Sequence, residues 1–454
     1  MTPMQQTTQQ TNSPSISKAS WRLYINRLIA REISVFSRYY DQLIQVNQRD
    51  EDTGHLYDYI DIPNKKQVKN SIELSDLSGE LDKRSLLLLN GNLNYDYDIQ
   101  KTLDSFHEKL SQTSRLVAVL YNPYLSFIFK FAHKIGLIKG KAPETFMTHK
   151  DLNNLAKLAN YEVVRERNVA HIPFSIFGLG TFLNKVLVAI PVVRHLSLAS
   201  IIVLRPIKEK IHKPSISIVI PARNESGNIE NALKRLDKFA EDMEIIFIEG
   251  NSTDDTWDEI QRVAEAYKDQ WKIKIGQQTG KGKSNACEKG FELASGELLT
   301  ILDADLTMPP EQLNRYYKSY IRGQAEFING SRLLYPMEGE AMRFLNKLGN
   351  IFFAKSLSWV LDHDYTDSLC GTKLFTRWDY DRFLRWRDDF GKHDPFGDFD
   401  LLFPAASLSI GTIDIPIRYL DRTYGDTNIS RFSHGLMLLK MTLVGFLKIK
   451  TRLM

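Results

Sequence analysis

The chain has 454 residues, with 59 Lys and Arg against 55 Asp and Glu and a formal net charge of +4 at pH 7. That length suits two or three domains with real cores; the small positive excess argues against a nucleic-acid footprint and leaves contact with a membrane or with phosphates open. The two cysteines, Cys287 and Cys370, sit in unrelated motifs and read as free thiols of a reducing cytoplasm, and the polar amino terminus predicts no signal peptide.

Residues 1–19 are rich in Gln, Thr and Ser without periodicity, which predicts a disordered tail. From Trp21 an amphipathic helix carries Tyr24, Leu28, Ile29 and Ile33 on one face. Asp58–Asp61 and Ile72–Leu74 read as strand remnants. Ser85–Asn90 is a strand, Asp98 starts a helix, Arg115–Asn122 is a strand, His149 caps another helix, and Tyr161–Glu166 and Leu196–Leu204 are closing strands. The apolar stretch from Phe174 to Leu204 is broken by Lys185, Arg194 and His195, so it predicts core rather than a membrane span.

The order of residues 20–205 resembles the second half of a class I SAM-dependent methyltransferase. That resemblance implies an acidic-x-Gly-x-Gly loop around the cofactor, and the loop is missing: between Trp21 and Leu89 only Gly54 and Gly79 occur, neither after a buried strand. The expectation is a degenerate methyltransferase-like domain without cofactor binding; an active methyltransferase is the alternative. Basic, proline-bounded residues 206–214 form the linker to the next domain.

Residues 215–433 predict a β-α-β-α-β-α-β order and therefore a parallel, doubly wound sheet. Ser215–Pro221 is a buried strand running into Ala222-Arg223-Asn224-Glu225, and a helix with Ile229, Ala232, Leu233 and Leu236 on one face follows. Glu244–Ile248 ends in Glu249-Gly250-Asn251-Ser252-Thr253-Asp254-Asp255-Thr256, which opens a helix from Trp257 to Tyr267. Trp271–Ile275 precedes Gly280-Lys281-Gly282-Lys283 and a small-residue helix, Ser284–Ala294. Glu297–Leu302 then delivers Asp303 and Asp305 into a turn closed by Pro309-Pro310. Side chains two apart on a strand share a face, so both carboxylates converge beyond the strand's carboxyl end, where open α/β sheets bind ligands. Two hard oxygen donors there suit Mg²⁺ or Mn²⁺ gripping phosphates. Singly, each polar turn is ordinary helix capping; on successive strand ends they describe a nucleotide site.

Residues 220–225, 249–256, 280–283 and 303–311, in this order, resemble the signature of glycosyltransferase family 2, in particular the dolichol- and polyprenyl-phosphate sugar synthases. The resemblance covers about Lys213 to Arg431 and implies the GT-A fold and inverting transfer of a sugar from a UDP- or GDP-sugar. By that resemblance Pro221, Asn224 and Glu225 line the base and ribose, Glu249 stands where an aspartate usually reads the base, and Lys281 faces the donor phosphates. Asp303 lies near ribose or metal and Asp305 is the metal ligand proper. Two residues later the sequence has Thr307 where relatives often have Gln or Ser, a departure that touches the metal's coordination, and Gly250 replaces a second acidic residue.

Phe327–Arg332 reads as a fifth strand ending in an arginine, and Arg343 lies on the next helix; both guanidinium groups are candidates for an anionic acceptor. Asp367 is the strongest polar candidate of Tyr365–Lys373. By the same resemblance Asp398 and Asp400 occupy the place of an acidic general base, needed for a hydroxyl acceptor and not for a phosphate, which is already an anion. Arg422 in the 421–428 segment is a phosphate candidate, and Asn428 replaces the usual lysine. Residues 434–454 predict an amphipathic interfacial helix with Lys440, Lys448 and Lys450 toward anionic headgroups, Arg452 helping to close the apolar run. The expectation is an α/β chain in which a GT-A domain follows an incomplete methyltransferase-like domain. It would act cytoplasmically, peripheral to the membrane, on a lipid-phosphate or glycan acceptor and not on nucleic acid. A catalytically reduced scaffold is the alternative, suggested by Thr307, Glu249 and the eroded amino-terminal half.

Overall fold

In the computed structural model, residues 20–46, 55–69, 71–75, 84–136, 138, 141–336, 344–391, 394, 397–422, 424 and 431–454 are described. They form a mixed α/β molecule with two sheets. The first contains β1 (Gln42–Val46), β2 (Asn64–Val68), β3 (Ser85–Asn90), β4 (Arg115–Tyr121), β5 (Tyr161–Val169) and β6 (Ala199–Pro206) in the order β2-β1-β3-β4-β6-β5. Its first four strands are parallel, and β6 runs antiparallel between β4 and β5. The second contains β7 (Ile216–Ala222), β8 (Met243–Glu249), β9 (Lys272–Gln277), β10 (Leu298–Ile301), β11 (Phe327–Ser331), β12 (Lys373–Thr376) and β13 (Thr412–Pro416), ordered β13-β11-β12-β10-β7-β8-β9, with only β12 antiparallel to its neighbours.

Both faces of each sheet are covered, as the apolar runs require for mostly parallel strands. Along β7, Val219 turns to one core with Ile246 and Ile248, while Ile218 and Ile220 turn to the other with Ile245 and Phe247. The first sheet divides in the same way: Leu87 and Leu89 face one core, Leu86 and Leu88 the other.

The two sheets meet through buried charge. Arg115, the first residue of β4, reaches Glu326, just before β11, at 2.5 Å, and donates to the Ser409 carbonyl at 2.9 Å. At the end of β6, Arg205 donates to the carbonyls of Gly323 (3.0 Å) and Gln324 (2.9 Å). Arg84, before β3, pairs with Asp379 at 3.4 Å. The amino ends of the parallel strands of both sheets therefore face each other. The linker is pinned on both sides, Lys210 N–H donating to the Ile321 carbonyl and Gln112 to that of Glu209.

Several expectations are corrected. Residues 58–61 and 72–74 belong to or adjoin short helices, His55–Tyr59 and Ser71–Ser75, rather than strand remnants; stretches of three or four residues are too short for periodicity to distinguish the two. The stretch 174–204 is core only in its second part: β6 is buried, whereas Phe174, Ile176, Phe177, Leu179 and Phe182 are exposed. The last helix, Arg431–Gly445, is followed by a turn of π-helix, Phe446–Lys450. Leu438 and Met441 enter the core, Lys450 is buried against Asp362, and Lys448 donates to the Phe390 carbonyl. Lys448 and Lys450 thus turn inward, while Lys440 stays exposed. The expected tail, residues 1–19, lies outside the described residues.

Candidate active site

The polar turns after β7, β8 and β10 gather at one end of the second sheet, opposite the end that meets the amino-terminal domain. Three of their residues hold left-handed backbone without being glycine: Asn224 (φ 55°), Asn251 (φ 58°) and Leu306 (φ 52°). Such strain persists where the surroundings over-determine it, commonly at ligand sites. Here Asn224 Oδ1 accepts from Thr253 N–H (2.8 Å) while its own N–H donates to Ser252 Oγ (3.1 Å), locking the first turn to the second.

Asp303 and Asp305 follow β10. Asp303 is ion-paired with Lys283, the first residue of the helix Lys283–Leu293. Burial pushes the Asp303 carboxyl up, but the Lys283 ammonium outweighs it and holds the acid below its ordinary value. Gly371 makes this possible, because a Cβ there would strike both the Lys283 ammonium and the Asp303 carboxylate. Asp305 Oδ1 accepts from Thr307 N–H (3.1 Å) and its hydroxyl (2.8 Å), and Oδ2 accepts from Arg422 at 2.6 Å. Thr307 therefore orients Asp305.

Arg422 also pairs with Glu225 at 3.0 Å, and Asn228 donates to the other Glu225 oxygen at 2.7 Å. Burial, with the nearby Asp305 and Asp254 charges, pushes Glu225 up to about 7 despite Arg422. Tyr424 lies over the first turn, its hydroxyl 2.9 Å from Ser226 Oγ and its ring where a Cβ on Gly227 would be. Glu249 is buried; its Oε1 accepts from Ser252 N–H at 2.5 Å and its Oε2 from Gln277 at 3.3 Å. Pro221 lies within β7, and Lys281 is exposed on the glycine loop.

On the acceptor side, Arg332 and Asp367 form a two-pronged pair, Nε–Oδ2 at 2.7 Å and Nη2–Oδ1 at 2.9 Å, with Asp367 fully buried. Tyr419 stacks on the guanidinium, its ring centroid 5.5 Å away. Asp398 opens the helix Asp398–Ser407 and accepts from Lys373 at 2.6 Å; Asp400 lines, with Asp398, Lys283 and Cys287, a cleft behind Asp303. Arg343 and Asn428 lie outside the described residues.

Lys283 and Lys373 were not singled out by sequence reasoning. Lys283 had a signal, the second lysine of the glycine loop placed at a helix start. Lys373 had a fainter one, an ammonium within the otherwise uncharged strand Lys373-Leu374-Phe375-Thr376.

Among the described residues no group of three or more His, Cys, Asp or Glu is placed to cage a metal. The donor set fits a divalent cation of another kind. Mg²⁺ takes one or two carboxylates and completes its shell with substrate phosphates, and Asp305 and Glu225 already converge on a cation, the Arg422 guanidinium.

Residues 217–382 match the family described as Glycosyl transferase family 2. The chain is 32% identical over 136 residues to a dolichol-phosphate mannosyltransferase of Pyrococcus furiosus, covering 29% of this chain and 37% of that protein. It is 27% identical over 219 residues to an undecaprenyl-phosphate 4-deoxy-4-formamido-L-arabinose transferase of Pseudomonas syringae, covering 47% and 60%. Among solved structures, a mannosyltransferase from Pyrobaculum calidifontis in complex with GDP-Man and Mn²⁺ superposes with a TM-score of 0.36 and 18% identity, over 54% of this chain and 67% of that one. The chain thus spans 37% and 60% of the length of the two curated relatives.

Proposed function

We propose that this chain is an inverting glycosyltransferase that moves a sugar from a UDP- or GDP-sugar to a polyprenyl phosphate at the cytoplasmic surface of a membrane. The observation that carries the proposal is the cluster of Asp303, Asp305 and Glu225 at the carboxyl ends of β7 and β10, within the part of the chain that matches the family, joined by Arg422 from the segment after β13. Pro221, Asn224, Glu225 and Glu249 hold the base and ribose, and Lys281 closes on the diphosphate. Asp305, with Asp303, would hold Mg²⁺ or Mn²⁺, which neutralises the leaving diphosphate when bound. Arg332, kept in place by Asp367, and Arg422 meet the acceptor phosphate, as Arg343 would.

A phosphate acceptor is favoured over a hydroxyl by one contact. The Oδ1 of Asp398, a candidate general base, already accepts from buried Lys373, and an anionic nucleophile needs no base, so catalysis rests on positioning and charge. The amino-terminal domain is proposed to be a degenerate methyltransferase-like scaffold, because the segment 47–54 after β1 holds a single glycine, Gly54, and not the acidic-x-Gly-x-Gly pattern that would wrap a cofactor.

The test is transfer of radiolabelled sugar from a panel of UDP- and GDP-sugars, with Mn²⁺ or Mg²⁺, into an organic-extractable polyprenyl phosphate. Lipid labelling that disappears in Asp305→Ala is expected. Donor hydrolysis without lipid labelling would move the acceptor to a hydroxyl, with Asp398 or Asp400 as base. No donor consumption with any sugar would refute the transferase.

A further inference from the structure

The carboxyl end of β4, the carboxyl end of β5 and the amino end of β6 coincide, Tyr121 and Val169 both lying opposite Ala199. From this one end of the first sheet rise the helix Ser126–Lys134 and the segment 170–198 with its helix Leu179–Leu187. The two are tied together: Asn122 donates to the carbonyls of His195 (2.7 Å) and Ser197 (2.6 Å).

The apolar pattern here is inverted. Tyr124, Phe127, Ile128, Phe131 and Ile135 recur at helical spacing and are exposed, by 61%, 67%, 42%, 61% and 58%, while Phe129 faces inward. On the neighbouring segment Phe174, Ile176, Leu179 and Phe182 are more than half exposed. Phe177 projects fully, on a left-handed residue (φ 48°) ahead of Gly178. The helix beneath is fixed, Thr181 bonding Tyr24 at 3.1 Å and Asn184 bonding Ile172, so these side chains are held outward by a rigid base. A patch of this kind on a soluble surface marks an interaction site.

Charge identifies the occupant. Residues 122–143 contain Lys130, Lys134, Lys139 and Lys141 and no Asp or Glu; residues 168–198 contain Lys185 and Arg194 and again no acid. Aromatic and aliphatic tips on two segments whose own charges are all positive, with Lys141 paired to Glu144 and Arg194 to Asp362 just outside them, match the boundary of a bilayer with anionic headgroups. A second copy of the same face would oppose lysine to lysine. Among the described residues no helix is long and apolar enough to cross a membrane, so the contact is interfacial. The face is also continuous with the catalytic domain. Arg194 reaches Asp362, which follows the helix Phe344–Leu361; that helix and the last one expose Phe352, Leu436 and Leu443.

We propose that the loops at this end of the amino-terminal domain, led by Ile176, Phe177, Phe127 and Phe131, dock the protein on an anionic phospholipid bilayer. The proposal does not depend on the chemistry assigned to the second sheet, and its readout is binding, not turnover.

The test is co-sedimentation of the full chain with vesicles of phosphatidylcholine alone or with about one-third phosphatidylglycerol, at about 0.1 M and about 0.5 M salt. Binding to the anionic vesicles, weakened by salt, is expected to fall at least about tenfold in Ile176→Glu/Phe177→Glu and in Phe127→Glu/Phe131→Glu. Ile211→Glu, an equally exposed apolar position in the linker, should leave binding unchanged. Phe177→Trp should shift its emission to the blue on vesicles and be quenched by brominated lipid. The proposal is overturned if vesicles are not bound, if both double variants bind as the parent does, or if only Leu436→Glu/Leu439→Glu releases the protein. A dimer that Ile176→Glu/Phe177→Glu turns into monomer, without vesicle binding, would assign the face to a second copy and equally overturn it.

Discussion

Replacing Arg115 by Met tests whether the two domains are one cooperative unit. Arg115 and the Glu326 side chain are 1% and 8% exposed and in contact at 2.5 Å, so the substitution strands a buried carboxylate, which costs about 3–5 kcal/mol. The carbonyls of Ser409 and Ser114 each lose a donor at 2.9 Å, about 1 kcal/mol apiece. The methionine side chain returns about 1–2 kcal/mol of apolar burial. A net loss of about 4 kcal/mol lowers the folded-to-unfolded ratio by about a thousandfold. Equilibrium urea unfolding, with the slope monitored for loss of a single transition, measures it.

The same pair sets the pH response. Burial pushes Glu326 up, and Arg115 with Arg205 brings it below its ordinary value. Its contribution in the parent protein is therefore complete above the unfolded carboxyl's range and lost as pH falls through the lower folded value. Without Arg115 the burial effect dominates, so the variant's deficit should shrink as pH falls and the stranded acid takes up a proton. Arg115→Met/Glu326→Leu should recover more than half of the loss, because an apolar pair replaces an ion pair without leaving a charge. A deficit under about 1 kcal/mol, or a double variant no better than the single one, would show that this contact does not hold the domains together.

Three further outcomes follow from the site. Glu225 titrates at about 7 in the folded chain against 4.5 for the free side chain, so the stability tied to its proton is complete below the lower value and lost as pH rises through the higher one. The thermal midpoint should fall between about pH 5 and pH 8 more steeply in the parent than in Glu225→Gln; parallel curves would remove the shift. Gly371→Ala should leave the circular dichroism unchanged yet cut kcat/KM about a hundredfold, by driving Lys283 and Asp303 apart; a change under about twofold would mean that this close approach is not needed. In Arg332→Lys the single ammonium cannot match both Asp367 oxygens, so stability should drop by about 2–3 kcal/mol and the acceptor KM should rise with the donor KM unchanged. A normal acceptor KM would confine Arg332 to a structural part.

What could be read from the sequence depended on whether a residue's partners were near it in the chain. β8 runs Met243–Glu249 where Glu244–Ile248 was read, and β3 matches the reading Ser85–Asn90, because an apolar run between polar turns is a local signal. β1 and β2 went unread. Gln42 and Gln45 are buried within β1, Gln42 being satisfied by Ser85 Oγ at 2.8 Å on the next strand, and β2 carries Lys65 and Lys66 as an edge strand does. At the site, the motifs showed which turns would converge but not how the charges pair. Lys283 meets Asp303 across 20 residues and Arg422 meets Asp305 across 117, separations that no window of sequence spans. Lys450 was read as facing lipid for the same reason: Asp362, which buries it, lies 88 residues away.

The geometry of the interface limits what the amino-terminal domain can do. Arg115 begins β4 and Glu326 precedes β11, while Arg332 and the acidic turns lie past the other ends of their strands. At about 3.3 Å per residue, the five residues of β11 put the interface about 17 Å from Arg332. The loops at the carboxyl ends of β3 and β4 are farther still, pointing the opposite way. Among the described residues no side chain of those loops can line the donor site, so they do not act on the chemistry by contact. The first sheet can act by rigidity, through the arginines that join the two sheets, and by placement, through whatever its far end touches. The helix Phe344–Leu361 is the element that links the two ends. Its 18 residues span about 27 Å, beginning after the 332–343 segment and ending at Asp362, where Arg167 and Arg194 of the first domain take hold. A surface that seats the amino-terminal loops therefore also fixes the height and tilt at which the acceptor side of the second sheet is presented.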